Sequence, residues 1–277
     1  MRRVFTLIVT VGVLLSLAAC TGSGAPTPTP PYTAGDLITD YNGQRLYGRL
    51  FLPTSGPERL PTVILAHGLD GTSAGMIPYA ERLAQEGFAA YAFDFRGGGA
   101  GNRSDGDRAS MSILTQTEDL NAVVDTIRTR PDVDGDHLFL LGESQGGLVS
   151  AMVPGQHPDA FAGLVLLAPA FNLPDVCRAE LENPGGATPS ASSFSRTYLE
   201  DGASIDVPAA IRPYERDVLI VHGDADPLVP IANSQQALLT YRSAELMTVP
   251  GAGHEFTGPN RDAVVVRIIT YLKQHLR

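Results

Sequence analysis

Short apolar runs that alternate with stretches of helical spacing restrict this chain to an α/β architecture. The runs are rich in Val, Ile, Leu and Phe and cover residues 62–68, 89–95, 137–143, 163–170, 217–223 and 244–251. Stretches with helical spacing lie at residues 76–86, 115–130, 145–156, 231–241 and 260–276. Because unbroken apolar runs are typical of strands buried on both faces, this order predicts βαβ units and a mainly parallel, doubly wound sheet. Such sheets bind ligands beyond the carboxyl ends of their strands.

An antiparallel hairpin is expected ahead of the alternating part. Two β-prone runs flank Asn42 and Gly43, a dipeptide that supplies the two positive φ angles of a type I′ turn. We therefore expect the chain to enter the sheet through a hairpin.

The segment over residues 172–214 interrupts the alternation. It is long, rich in Pro, Gly, Ser and Ala, and has no clear strand period. A loop of this length inside a compact domain usually has a function. Its place between the fourth and fifth apolar runs predicts an inserted cap over an active site; a disordered surface insertion is the alternative.

Charge and composition exclude several kinds of partner. The net charge is −10 over 277 residues, and no cluster of basic residues lies beyond the N-terminus. We expect no nucleic-acid partner, because neutralised phosphates supply most of that affinity. The spacing typical of metal sites and of nucleotide loops is missing, so no metal and no cofactor are expected. Cys20 and Cys177 lie in such different contexts that no disulfide is expected between them.

The N-terminus has the pattern of an export signal. Residues 1–19 join two arginines to an apolar stretch that is short for a membrane span, which predicts a signal peptide. The sequence LAAC at 17–20 resembles the bacterial lipobox and predicts a lipid on Cys20 that anchors the exported protein to the bacterial cell membrane. An ordinary signal peptide with a chance cysteine is the alternative. Residues 20–31 form a Pro/Thr-rich tether to one folded domain over 32–277.

A nucleophile motif lies where a predicted strand meets a predicted helix. The sequence there is GESQGG, residues 142–147, in the strand–turn–helix context of the G-x-S-x-G elbow. Glycines are needed because the turn is sharp and side chains would collide with nearby backbone. Ser144 is the predicted nucleophile, and a plain glycine-rich turn is the alternative.

One histidine is suited to be the base that takes the proton of Ser144. In proteins that carry a G-x-S-x-G elbow between a strand and a helix, the acid and then the histidine follow the serine along the chain. His157 ends the helix after the elbow, His222 lies in a buried strand, and His275 lies next to the C-terminus. His254, in the glycine-containing loop after the last strand, is the predicted general base.

The acid that orients this base comes from the segment HGDADPLVP, residues 222–230. The segment resembles the H-G-x-x-D-x-x-V-P pattern common among α/β-hydrolases, and that register selects Asp226. Asp224 is the other candidate, and we expect it to cap backbone N–H groups of the turn.

Two backbone N–H groups are the predicted oxyanion hole. Gln145 supplies one, because it follows the nucleophile. The sequence HGLDG at 67–71 ends a predicted strand and resembles the H-G-x-x-G loop of this fold, so Leu69 supplies the other. His67 is expected to be a structural member of that loop.

The motifs HGLDG, DFRGGG, RSDG, GESQGG, HGDADPLVP and GAGHEF occur in this order across residues 62–256. Together they resemble the α/β-hydrolase superfamily. Within it the chain is similar to bacterial serine esterases related to cinnamoyl and feruloyl esterases, which share the G-x-S-Q-G-G elbow and a cap at the place of residues 172–214. The resemblance implies hydrolysis of carboxylic esters, often with aromatic acyl groups, without a cofactor. Many relatives have His where this chain has Glu143, which leaves the acyl preference open.

The predicted activity is hydrolysis of small or aromatic acyl esters through an acyl-enzyme on Ser144. Two alternatives stand beside it. The same groups cleave amides, so one alternative is a serine peptidase acting on short peptides. The other is a lipoprotein with a catalytically inactive hydrolase fold that binds a ligand or partner.

Overall fold

The computed structural model describes residues 31–157, 159–186 and 194–276. These residues contain an eight-stranded sheet. Its strands are β1 (Tyr32–Tyr41), β2 (Gln44–Pro53), β3 (Leu60–Ala66), β4 (Ala89–Phe93), β5 (Val133–Glu143), β6 (Gly163–Leu167), β7 (Val218–Gly223) and β8 (Ala244–Val249). The helices are α1 (Ser73–Gln85), α2 (Ile113–Arg128), α3 (Ser144–Gln156), α4 (Leu173–Glu182), α5 (Arg196–Ser204), α6 (Val207–Ile211), α7 (Ile231–Leu238) and α8 (Gly258–Gln274).

The predicted signal peptide and the predicted lipidation site Cys20 lie outside the described residues. None of the helices in the described part of the chain has both the length and the apolar character that crossing a bilayer requires.

The strand order is β1-β2-β4-β3-β5-β6-β7-β8. Strand β2 pairs antiparallel with β1 and with β4, and every other pair in the sheet is parallel. The predicted mainly parallel, doubly wound sheet is therefore confirmed. Each predicted apolar run falls on a strand, although β5 starts four residues earlier than predicted, because polar residues continue the strand before its buried part begins.

The predicted hairpin joins β1 to β2. Asn42 and Gly43 have φ angles of 53° and 76°, the pair of left-handed residues that a type I′ turn requires. Tyr41 pairs directly with Gln44 across this turn, so the hairpin prediction is confirmed.

The sheet separates two hydrophobic cores. In the central strand β5, Leu138 and Leu140 face a core shared with α2 and α3, whereas Phe139 and Leu141 face a core shared with α1 and α8. All four side chains are fully buried. Burial of each contributes about 1.5–3 kcal/mol, which explains why the sequence of this strand is apolar without alternation.

Helices α4, α5 and α6 lie in the segment between β6 and β7. The sequence pattern does not predict them, because they are short and rich in the residues that favour loops. Local hydrogen bonds explain the starts of α5 and α6: Ser195 Oγ accepts from Tyr198 N, and Asp206 Oδ1 accepts from Ala209 N.

Cys177 is a buried free thiol.

Candidate active site

A sharp elbow places Ser144 at the edge of the sheet. Strand β5 ends at Glu143 and α3 begins at Ser144, whose φ angle of 54° lies in the left-handed region. A Cβ atom on Gly146 would collide with the carbonyl oxygens of Ala66 and His67. The first turn of α3 therefore lies directly against the end of β3, and only glycine permits this approach.

Three residues that lie far apart in the sequence are linked by hydrogen bonds. Ser144 Oγ donates to His254 Nε2 over 2.8 Å, and His254 Nδ1 donates to Asp226 Oδ2 over 2.7 Å. Because a carboxylate only accepts hydrogen bonds, the ring proton lies on Nδ1 and leaves Nε2 able to accept from the serine. The structure thus brings together the three residues that the motifs single out.

Asp226 is held as a carboxylate. Its side chain is fully buried, and burial alone would raise its pKa. Hydrogen bonds from Val229 N, His254 and Leu228 N favour the ionised form and leave the pKa lowered overall. Asp224, the other candidate, instead accepts from Gly251 N over 2.6 Å and stabilises the neighbouring loop.

A second histidine, His222, supports the acid, and the sequence pattern does not assign it this role. His222 Nε2 lies 3.2 Å from Asp226 Oδ2 and 2.9 Å from the carbonyl oxygen of Val229, so it carries a proton and donates. Its Nδ1 accepts from Ser234 Oγ over 2.7 Å. Burial lowers the pKa of His222 and keeps the ring neutral. The histidine that opens the H-G-x-x-D pattern is the sequence signal that could identify the role of His222.

The two predicted oxyanion donors lie beside the nucleophile. A Cβ atom on Gly68 would lie 3.1 Å from Ser144 Cβ, so the loop that carries Leu69 passes directly over the serine. Gln145 is the second residue of α3. Leu69 and Gln145 line the same pocket as Ser144.

His67 anchors the loop of Leu69. Its Nε2 accepts from Phe95 N over 3.1 Å, and its Nδ1 donates to the carbonyl oxygen of Gly68 over 2.8 Å. The ring is 2% exposed and burial lowers its pKa. These contacts are structural and leave no free ring nitrogen for catalysis.

The pocket that contains Ser144 and His254 has a volume of about 540 Å³. Apolar side chains reach it from the segment after β6 and from the loop after β7: Leu173, Val176, Phe194 and Leu228. The polar residues of its lining come from α1, the end of β5, the loop before α8 and α8 itself: Tyr79, Glu143, Glu255 and Arg261. The lining of the pocket therefore combines apolar with ionisable side chains.

Glu143 is an unusual acid in this pocket. Desolvation, together with the charge of Glu255, raises its pKa from 4.5 to about 7, and the opposing effect of His254 is smaller. Its carboxyl group therefore changes charge near neutral pH.

The chain matches two models of known protein families. The family model described as serine aminopeptidase, S33, matches residues 57–196, which is half of the chain. The chain belongs to this family of α/β-hydrolases. A second model, described as TAP-like protein, matches residues 191–275 of the hydrolase.

Relatives of this hydrolase include esterases and lipases. Monoacylglycerol lipase of Mycolicibacterium smegmatis is 28% identical, over 84% of this chain and 95% of the relative. Mouse monoglyceride lipase is 31% identical over 53% of this chain and 48% of its own. The structure of Est1E from Butyrivibrio proteoclasticus with bound ferulic acid is 26% identical, with a TM-score of 0.78 over 87% of this chain and 99% of Est1E. The protein is thus a hydrolase of the esterase and lipase type.

The raised pKa of Glu143 makes the stability of the fold depend on pH. Between pH 4.5 and 7 the folded state holds a proton that the unfolded state has lost, so stability falls as pH rises through this range. Glu143→Gln removes the titration. We expect the variant to match the wild type at pH 5 and to exceed its free energy of unfolding by roughly 2–3 kcal/mol at pH 8, measured with urea.

The matched control is Glu58→Gln, at an exposed glutamate, which should change little at either pH. An equal difference between Glu143→Gln and the wild type at pH 5 and pH 8 would show that Glu143 does not titrate in this range.

Proposed function

We propose that this hydrolase is a serine carboxylic-ester hydrolase with Ser144 as nucleophile, His254 as general base and Asp226 as the orienting acid. The observation that carries the proposal is the hydrogen-bonded chain from Ser144 Oγ through His254 to Asp226. Ser144 and His254 line a pocket that Leu69 and Gln145 also line. No cofactor is needed for this chemistry.

In the first half of the proposed reaction, Ser144 Oγ bonds to the ester carbonyl carbon and its proton passes to His254 Nε2. The negative charge on the carbonyl oxygen is stabilised by the N–H groups of Leu69 and Gln145. The bond from the carbonyl carbon to the alcohol oxygen then breaks. His254 donates its proton to that oxygen, so the alcohol leaves neutral and an acyl group remains on Ser144.

In the second half, water repeats the attack on the acyl-enzyme. His254 takes a proton from the water as its oxygen bonds to the carbonyl carbon, and the same two N–H groups stabilise the new oxyanion. The bond to Ser144 Oγ breaks, and the proton returns to the serine. Asp226 stabilises the imidazolium in both halves without taking a proton.

The proposed substrates are esters with small or aromatic acyl groups. Because His254 protonates the leaving oxygen, the alcohol part lies on the side of His254, near Glu255 and Arg261. The acyl part then faces Leu173 and Phe194, whose side chains suit an apolar or aromatic group. The bound ferulic acid of the related Est1E structure supports this proposal.

Amide hydrolysis is the second candidate. The matching family model is described as a serine aminopeptidase, and the carboxyl groups of Glu143 and Glu255 line the pocket. Carboxylates can pair with the α-ammonium group of a short peptide. The same nucleophile and base would then cleave an amide.

We further propose that the enzyme is an exported lipoprotein held at the bacterial cell membrane by lipid on Cys20. The LAAC sequence and the tether over residues 20–31 support this location. The segment over 172–214, which contains α4, α5 and α6, is proposed to be the cap of the active site, since Leu173, Val176 and Phe194 line the pocket.

Replacement of the nucleophile tests the mechanism. Ser144→Ala should lower kcat on p-nitrophenyl butyrate by about 10⁴-fold or more, because no covalent intermediate can form. It should also abolish labelling by a fluorophosphonate probe. Ser150→Ala, at a buried serine of the same helix, is the matched control and should keep both activity and labelling. Labelling that persists in Ser144→Ala would assign the nucleophile to another residue, and a wild type without either signal would favour an inactive binding protein.

A substrate panel separates the two candidate reactions. The panel contains p-nitrophenyl acetate, butyrate and octanoate, methyl ferulate, and the p-nitroanilides of alanine and proline. We expect kcat/KM on the butyrate ester and on methyl ferulate to exceed that on either anilide by about 100-fold or more. Faster hydrolysis of an anilide would replace the esterase proposal with the peptidase one.

The proposed anchor predicts where the protein partitions. In a bacterial host that processes lipoproteins, the full chain should enter the detergent phase of a Triton X-114 extract, whereas Cys20→Ser should stay in the aqueous phase, because each buried CH₂ of an acyl chain contributes about 0.8 kcal/mol. Cys177→Ser is the matched cysteine control and should partition like the wild type. Equal partitioning of Cys20→Ser and wild type would contradict lipidation.

A further inference from the structure

Three buried polar side chains link three helices beside the elbow. Gln145 Nε2 donates to Gln116 Oε1 over 2.7 Å, and Tyr198 Oη donates to Gln145 Oε1 over 2.5 Å. The residues come from α2, α3 and α5 and are at most 2% exposed. Their hydrogen bonds form in an environment of low dielectric, where each bond is stronger than in water and a lost partner is costly.

The middle residue of this chain is the one whose backbone N–H is a proposed oxyanion donor. With both ends of its side-chain amide bonded, Gln145 is restrained at its side chain as well as by the α3 backbone. Catalysis by an oxyanion hole depends on donors that are already in place when charge develops, so small changes in their position reduce the rate.

The other end of the chain reaches the wall of the pocket. Tyr198 packs against Phe194 with ring centroids 4.2 Å apart, and Phe194 lines the pocket. Tyr198 N also bonds to Ser195 Oγ at the start of α5. One tyrosine therefore contacts both the residue that carries a proposed oxyanion donor and an aromatic residue of the pocket lining.

We propose that Tyr198 is a positioning residue that holds Gln145 in the geometry of the oxyanion hole and links it to Phe194 in the pocket lining. This proposal rests on the esterase function proposed above. A purely structural tyrosine would affect stability alone, whereas a positioning residue affects the rate of the chemical step and the affinity for transition-state analogues.

The test compares Tyr198→Phe with Tyr214→Phe. Tyr214 is also fully buried, and its hydroxyl donates to the carbonyl oxygen of Phe161 over 3.3 Å, so both variants lose one buried hydrogen bond. Tyr214 does not line the pocket. Tyr198→Phe should lower kcat on p-nitrophenyl acetate about tenfold with KM within about twofold, less than the full loss of an oxyanion donor. Tyr214→Phe should leave both constants within about twofold, although it lowers Tm to a similar extent.

A trifluoromethyl ketone, which forms an oxyanion on the nucleophile, gives a second readout. Its inhibition constant should rise in Tyr198→Phe by the same factor by which kcat/KM falls, and should be unchanged in Tyr214→Phe. Gln116→Met removes the other bond of the Gln145 amide and should show the same pattern, which keeps the proposal testable if Tyr198→Phe does not fold.

The outcomes separate this proposal from the proposed function. A wild type that does not hydrolyse esters would overturn the esterase function. A wild type that does, with kcat and inhibition unchanged in Tyr198→Phe and Gln116→Met, would overturn the positioning role alone. A rise of KM without a fall of kcat in Tyr198→Phe would also overturn it, because the tyrosine would then act only on substrate binding through Phe194.

Discussion

Parallel strands end at the same edge of a sheet, and the whole site depends on this constraint. Gly142 pairs with Ala66, Glu143 with Leu167, and Leu167 with Val221. The loops that follow these strands therefore start side by side, although they are far apart along the chain. This register sets the relative positions of Ser144, Asp226 and the loop that carries Leu69.

The elbow brings the Ser144 hydroxyl into the pocket at a cost in backbone strain. A serine with a φ angle of 54° is unfavourable by about 1–3 kcal/mol. The surrounding packing maintains it, because Gly146 lies against the end of β3 and Gly142 lies against Ser150 and the backbone of Gly146. Any other conformation of Ser144 would move α3 away from the sheet and expose apolar core, so the strain persists in the folded state.

The sequence predicts the parts of this protein that depend on local pattern. Apolar runs locate the parallel strands, Asn42 and Gly43 locate the hairpin, and short motifs locate the residues that meet at Ser144. Helices α4 to α6 escape prediction because their propensity is weak and tertiary packing stabilises them. The hydrogen bond between Tyr198 and Gln145 joins residues 53 positions apart. The sequence around a tyrosine does not show which distant residue its hydroxyl will contact. The support of Asp226 by His222 is also visible only once the loop after β7 is folded.

Asp226 shows how little chemical freedom such a position has. Its Oδ1 accepts from the backbone N–H groups of Leu228 and Val229, and its Oδ2 accepts from two imidazole rings, those of His254 and His222. Four donors thus converge on two oxygen atoms in a space closed to water. The isosteric amide would turn an NH₂ group towards one pair of those donors. Any change of the side chain at Asp226 therefore breaks several contacts at once, even though its neighbours Ala225 and Pro227 face solvent.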